Sequence, residues 1–181
     1  RNTISGGNGH QILTTDNSFI GAGVSNCIFP VSGNANTITG GRVNKICSAS
    51  VNISQSFIGG GCTNTITAGS FSVIGGGNLN TVSAISSFVG GGNTNTASNT
   101  YTVVVGGILN IASGVSAAIA GGRANQAQAV LGFVGGGICN NVCNTTSGCL
   151  ALGAVVVGGV GNNTTGGTWN LATCAFTVAP T

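Results

Sequence analysis

The chain has no methionine and no glutamate, and its 181 residues include one aspartate (Asp16), one histidine (His10) and one lysine (Lys45). Three arginines (Arg1, Arg42, Arg123) bring the charged fraction to 3%, against about a quarter in ordinary soluble domains. General acid–base pairs, paired carboxylates and oxygen-rich shells for hard cations cannot be drawn from such a set, so the sequence reads as no enzyme and as needing no cofactor or metal. A formal net charge of +3 is too sparse to track a phosphate backbone, which sets nucleic acid aside. The most apolar run, residues 149–161, is about 13 long and broken by glycines, short of the roughly 18 residues of a membrane span. The missing initiator methionine reads as a processed product or a fragment.

Glycine is what the chain has instead: 34 residues, beside 41% apolar residues with only 5% aromatics. Disordered segments are poor in Ile, Val and Phe and usually carry high net charge, the opposite of this composition. One unit recurs throughout: an apolar residue, a Gly-rich triplet, two variable positions, an Asn, one variable position and a second apolar residue. The first apolar residue falls at Ile4, Ile20, Ile38, Ile58, Ile74, Val89, Val104, Ile119, Val134 and Val156, and four consecutive steps from Ile74 to Val134 are 15 residues each. A fixed short period with occasional longer steps is the mark of a solenoid whose insertions are loops.

Three columns specify the coil. The third residue after each marker is always Gly, from Gly7 to Gly159, as expected where φ is positive or another backbone comes close. The sixth is Asn26, Asn44, Asn64, Asn80, Asn95, Asn110, Asn125, Asn140 and Asn162, with His10 in the first copy; stacked amides can bond along a ladder or close a turn. The Ile and Val markers Ile20, Ile38, Ile58, Ile74, Val89, Val104, Ile119, Val134 and Val156 suit strands stacked in register as a core ladder. Fifteen residues suffice for two short strands and two turns, which predicts an all-β, parallel β-solenoid (β-roll) of about ten coils, two sheets back to back. Residues 1–172 read as the roll and 173–181 as a C-terminal tail; Trp169, Phe176 and Pro180 read as a cap or joint.

Before the markers stand Phe19, Phe57, Val73, Phe88, Val103, Phe133 and Val155. Successive strand residues face opposite ways, so this column and the core ladder cannot share one interior. An outward apolar stripe predicts an association surface; the alternative is that each bulky residue folds back on its local turn.

Segments such as Ser56-Phe57-Ile58-Gly59-Gly60-Gly61-Cys62-Thr63-Asn64-Thr65-Ile66 and Ser87-Phe88-Val89-Gly90-Gly91-Gly92-Asn93-Thr94-Asn95-Thr96-Ala97-Ser98 resemble the head repeats of trimeric autotransporter adhesins and similar repeats in phage and large-virus fibre proteins. The resemblance covers roughly residues 2–172. It implies a left-handed parallel roll that trimerises side by side in an extracellular, cell-surface or virion-surface fibre. The sequence departs from such heads in having no coiled-coil stalk, no membrane anchor and seven cysteines.

Those cysteines point to an oxidising setting. Cys143 and Cys149 could staple the longest insertion, and Cys47 could pair with Cys62 or Cys27; zinc at Cys139, Cys143 and Cys149 is the weaker alternative, because the spacing is irregular. Glycosylation triplets begin at Asn52, Asn144, Asn162 and Asn163. No Lys follows the Gly triplets as in a phosphate-binding loop, and the Gly-rich turns carry Asn and variable residues rather than the Asp of calcium-binding rolls.

The expected function is a self-assembling structural fibre or adhesin head without catalysis. Its partner is itself, as a trimer or head-to-tail filament, with a host-surface receptor or glycan as a further partner. Ice binding and a passive surface coat are the alternatives. The column after Asn contains only three successive Thr (Thr65, Thr81, Thr96), a short array for ice.

Overall fold

The β-branched columns become the strands because they suit a pleated, half-buried surface. The computed structural model describes residues 1–142 and 152–162, with the backbone alone of residues 168–170 and 175–178. It is an all-β parallel solenoid in which most coils contribute two strands of two or three residues. Strands beginning with Thr3–Ile4, Phe19–Ile20 and Thr37–Ile38 stack in register into a ten-stranded sheet that ends at Val155–Val156. The alternate strands, from Gln11–Ile12 to Asn141–Val142, form a nine-stranded parallel sheet behind it. A third line of contact, not anticipated from the pattern, runs along the first turn as isolated bridges through Asn8, Val24, Arg42, Cys62, Asn78, Asn93, Ile108, Arg123, Ile138 and Val160.

The core is one side chain deep from each sheet. Ile20, Ile38, Ile58, Ile74, Val89, Val104, Ile119 and Val134 are fully buried, and Val156 nearly so. Opposite them the second sheet contributes Ile28, Ile46 and Ile66, then Val82, then Ala97, Ala112 and Ala127, and finally Val142, so the core is thinnest over the three alanine coils. Each buried aliphatic side chain of Val or Ile size stabilises by roughly 1.5–3 kcal/mol. Ile4 remains half exposed in the first coil, which has a neighbour on one side only.

So thin a core leaves the turn backbone to be satisfied from within, and the Asn column does this. The Oδ1 of each rung accepts the N–H of the next Asn, as in Asn44 on Asn26, Asn95 on Asn80 and Asn140 on Asn125. Its Nδ2 donates both to a carbonyl four residues back and to a glycine carbonyl of the following coil; for Asn95 these are Gly91 and Gly107, both at 2.8 Å. Rungs therefore bond to main chain, and a direct amide–amide contact occurs between Asn64 and Asn44. His10 takes the first rung by accepting the Asn26 N–H at Nδ1, while its Nε2 is buried without a partner. The glycine column is held by the same geometry: a Cβ on Gly92, at φ +90°, would lie 2.1 Å from the Gly107 oxygen and 2.6 Å from Asn95 Nδ2.

The second turn has its own ladder, formed by Ser18, Asn36, Ser56, Ser72, Ser87 and Thr102. The hydroxyl or amide oxygen of each accepts the N–H of the next, from Asn36 on Ser18 to Thr102 on Ser87. Beside each ladder sits a left-handed residue that is usually not glycine: Ser25, Val43, Thr63, Leu79, Thr94 and Leu109 at the first turn, and Asn17, Ala35, Gln55, Phe71, Ser86, Tyr101 and Leu131 at the second. Their amides donate to the preceding coil, as Leu109 does to the Asn93 carbonyl and Tyr101 to that of Ile85. The insertion at residues 48–53 projects from the second turn, and its Ile53 is buried.

The expected division at residue 172 lies outside the described residues. Thr168–Asn170 pairs antiparallel with Ala175–Val178, Trp169 opposite Phe176, in a separate two-stranded sheet. Residues 168–170 therefore do not extend the parallel stack.

Candidate functional site

The outer face of the ten-stranded sheet carries the expected stripe. Phe19, Phe57, Val73 and Val103 are half-buried, whereas Phe88, Phe133 and Val155 are exposed. The rings partly fold back: a Cβ placed on Gly21, Gly59 or Gly90 would lie 3.2–3.3 Å from Cε1 of Phe19, Phe57 or Phe88, two residues earlier. Each of these rings covers the glycine that follows its own strand. Both sequence readings of the column thus describe the same side chains, which lean on their own backbone and still present an apolar outer surface.

Alternation brings a second row to this face, running Gly75, Gly90, Val105, Ala120, Gly135 and Val157 in the later coils. Val105 is 55% and Val157 80% exposed. Earlier coils carry Ser5 and Thr39 in that row, and Thr3 and Thr37 in the first. No charged residue lies on this face: Arg42 and Arg123 are on the first-turn bridges, Lys45 is on the other sheet and Asp16 on the second turn.

The second turn adjoins this face and changes character at the same height. In the first three coils its tip is Asp16-Asn17, Asn34-Ala35 and Ser54-Gln55; from Phe71 onward it exposes Phe71, Ile85, Tyr101, Val115, Leu131 and Leu152. Counting forward from each marker, across turns of unequal length, hides this ridge. Counting back three and four residues from the next marker finds it. A cavity of about 290 Å³ lies where the 48–53 loop meets the ridge, lined in part by Val51, Asn52, Ala84, Ile85 and Thr100.

The nine-stranded sheet presents Gln11, Cys27, Lys45, Thr65, Thr81, Thr96, Ile111, Gln126 and Asn141 in one outward row. A second row two residues on supplies Thr67, Ser83, Ser98 and Ser113.

The expected pairing of Cys47 with Cys62 or Cys27 is not found, since all three are free thiols. Register explains why. Cys27 is opposite Lys45 and Cys47 opposite Phe29, which puts the two cysteines on a diagonal of about 8 Å, too long for a disulfide. Cys62 lies on the first-turn bridge beside Arg42. Burial pushes the Cys27 and Cys47 thiols up. Cys62 is pulled down, first by its hydrogen bond with the Thr63 hydroxyl at 3.3 Å and then by Arg42. Cys139 is disulfide-bonded, which removes it from the zinc set, and Cys143 and Cys149 lie outside the described residues.

Of the glycosylation triplets, Asn52 is exposed and accepts the Ser32 hydroxyl at Oδ1. Asn162 serves as a ladder rung, its Nδ2 donating to Gly158. Asn144 and Asn163 lie outside the described residues. Among the described residues no group of three or more His, Cys, Asp or Glu side chains could hold a metal, and no helix is long and apolar enough to cross a membrane.

Compared with known proteins, the chain matches no protein-family model and no curated protein.

Proposed function

We propose that this chain is a non-catalytic structural subunit of an extracellular fibre or adhesin-like head, assembling with copies of itself through the outer face of the ten-stranded sheet. The observation that carries the reading is the run of apolar and glycine side chains from Val73 to Val157 on that face, with no charge among them. Contiguous apolar surface of this extent marks association in soluble proteins. The adhesin-head resemblance favours a closed trimer of left-handed rolls on a cell or virion surface. Stacking of coils end on end gives the filament form, because the open end of a parallel roll offers unpaired strand edges that template another copy. A host-surface receptor or glycan is the outward partner of such an assembly.

Sedimentation and electron microscopy of the native material test this reading, short trimeric knobs and continuous filaments being its two forms. Phe57→Asp combined with Phe88→Asp reduces the assembly to monomer while most β content remains. Unchanged mass in the double variant, or a well-ordered wild-type monomer at high dilution, refutes self-assembly through this face. A second reading, ice binding, draws on the paired rows Thr65/Thr67, Thr81/Ser83 and Thr96/Ser98, a hydroxyl grid on a flat sheet. Thermal hysteresis of the purified chain is its test, and absence of hysteresis ends it.

A further inference from the structure

The apolar surface is not one patch but two of different shape. The sheet face is flat and floored with small residues: Gly75, Ala120 and Gly135 share one row with Val105 and Val157, with Gly90 under the Phe88 ring, and Phe88, Phe133 and Val155 stand in the other row. The second-turn edge is convex, with Phe71, Tyr101 and Leu131 at left-handed positions that hold their side chains out from the stack. Phe71 is 59%, Tyr101 60% and Leu131 54% exposed. Both patches begin at the same coil, both run toward Val157 and Leu152, and neither contains a charge.

Taking the assembly reading above as its basis, we infer that the contact between copies is heterologous: the second-turn ridge of one copy seats on the glycine-floored face of the next. An isologous contact needs a single patch that complements itself about a two-fold axis. Here a ridge and a shallow floor complement each other instead, and because they adjoin at a corner of every coil, each copy offers its free face to a further ridge until a ring closes. Matching start points allow parallel copies to meet coil against coil with no shift along the axis. Aromatic side chains carry about 200 Å² each, so the exposures on each patch amount to roughly 600 Å², near the 800 Å² or so per partner of a standard interface. Charge depletion at the centre of both patches is the composition that such contacts favour. The first-turn edge also exposes Leu79, Ile108, Leu109 and Ile138, but Arg42 and Arg123 interrupt it.

Two variants separate this contact from its alternatives. Val105→Asp with Val157→Asp spoils the face; Tyr101→Asp with Leu131→Asp spoils the ridge at positions where Asp tolerates the left-handed backbone. Far-UV circular dichroism reports folding, and Val105→Thr with Val157→Thr replaces the face variant should its spectrum differ from wild type. Each variant alone is expected to sediment as a monomer, and their equimolar mixture at twice that mass, since one intact ridge then meets one intact face. Leu109→Asp on the first turn is expected to keep the wild-type mass. A ridge variant that keeps the wild-type mass means face-to-face pairing and overturns the inference, as does a mixture that stays monomeric or a mass loss in Leu109→Asp. A monomeric wild type refutes the assembly reading itself.

Discussion

Replacing Asn95 by Ala removes three hydrogen bonds from the middle of the stack at once. The amide of Asn95 is fully buried; its Oδ1 accepts the Asn110 N–H at 3.0 Å and its Nδ2 donates to Gly91 and Gly107. The Gly107 carbonyl keeps a second donor, the Asn93 N–H, so the main losses are an acceptor for the Asn110 N–H and a donor for Gly91. A buried donor left unpaired costs about 1–3 kcal/mol, and with the lost donation to Gly91 the substitution costs about 2–4 kcal/mol. Because coils contact only their neighbours, the cost is local. Hydrogen exchange at the Asn110 amide speeds up by roughly thirtyfold or more, and the denaturant midpoint falls. Asn162→Ala is the control: this rung is exposed and donates to Gly158, so about 0.5–1 kcal/mol is lost. Asn95→Asp separates the two functions of the amide, keeping the acceptor but turning a carboxylate against two carbonyl oxygens. Its folded-state pKa must then rise above the usual 3.9 or so. The variant is least destabilised below the unfolded pKa, where a protonated acid can donate, and loses stability as pH rises through the folded value. If Asn95→Ala costs no more than Asn162→Ala, the ladder does not hold the turns and the account is wrong.

Further substitutions probe the turns and the thiols. Gly92→Ala, with its Cβ 2.1 Å from a backbone oxygen at φ +90°, lowers stability by several kcal/mol or prevents folding, whereas Gly106→Ala, with nothing within 4 Å, stays within about 0.5 kcal/mol of wild type. Val43 is β-branched at φ +57°, so Val43→Asn raises stability by about 0.5–1 kcal/mol in thermal melts, and a fall in stability contradicts that. Cys62, its thiolate favoured by Thr63 and Arg42, alkylates at lower pH than Cys27 and Cys47, and Arg42→Ala moves its profile upward. Site-resolved mass spectrometry reads the rates, and equal rates at the three thiols contradict the assignment.

The solenoid was legible because each coil repeats the same physical demands. A β-branched residue must face inward, a glycine must pass under a neighbouring carbonyl, and an amide must close the first turn. The 15-residue spacing from Ile74 to Val134 exposes all three at once. The second-turn ladder was harder to see because its task needs only a small acceptor: Ser18, Asn36, Ser56 and Thr102 all serve, and no single residue type marks the column. The left-handed positions were not legible at all. Val43, Leu79, Phe71 and Tyr101 have no intrinsic preference for positive φ, and stacking against the previous coil imposes it. The cysteines show the limit of composition as an argument, because pairing depends on register, and Cys47 faces Phe29 rather than a thiol.

Satisfying the turn backbone internally through the two ladders also explains how a chain with so few charges holds together, and why its outer surface is free to vary along the axis. The ladders fix the backbone whichever residues point outward, so the second-turn tip can pass from Asp16-Asn17 to Tyr101 and Leu131 with the coil unchanged. The polar second-turn tips end at Ser54-Gln55 and all but one of the charges lie before residue 46, whereas the continuous apolar face and ridge belong to coils after about residue 70. On the proposed assembly, stability and association are therefore carried by different residues. A rung substitution such as Asn95→Ala must weaken both, since it loosens the coil that presents Tyr101 and Val105, whereas Asp substitutions at Tyr101 and Leu131 must abolish association while leaving the denaturant midpoint of the monomer nearly unchanged. A loss of monomer stability in the ridge variant as large as that in Asn95→Ala would mean that the ridge supports the fold rather than the contact between copies.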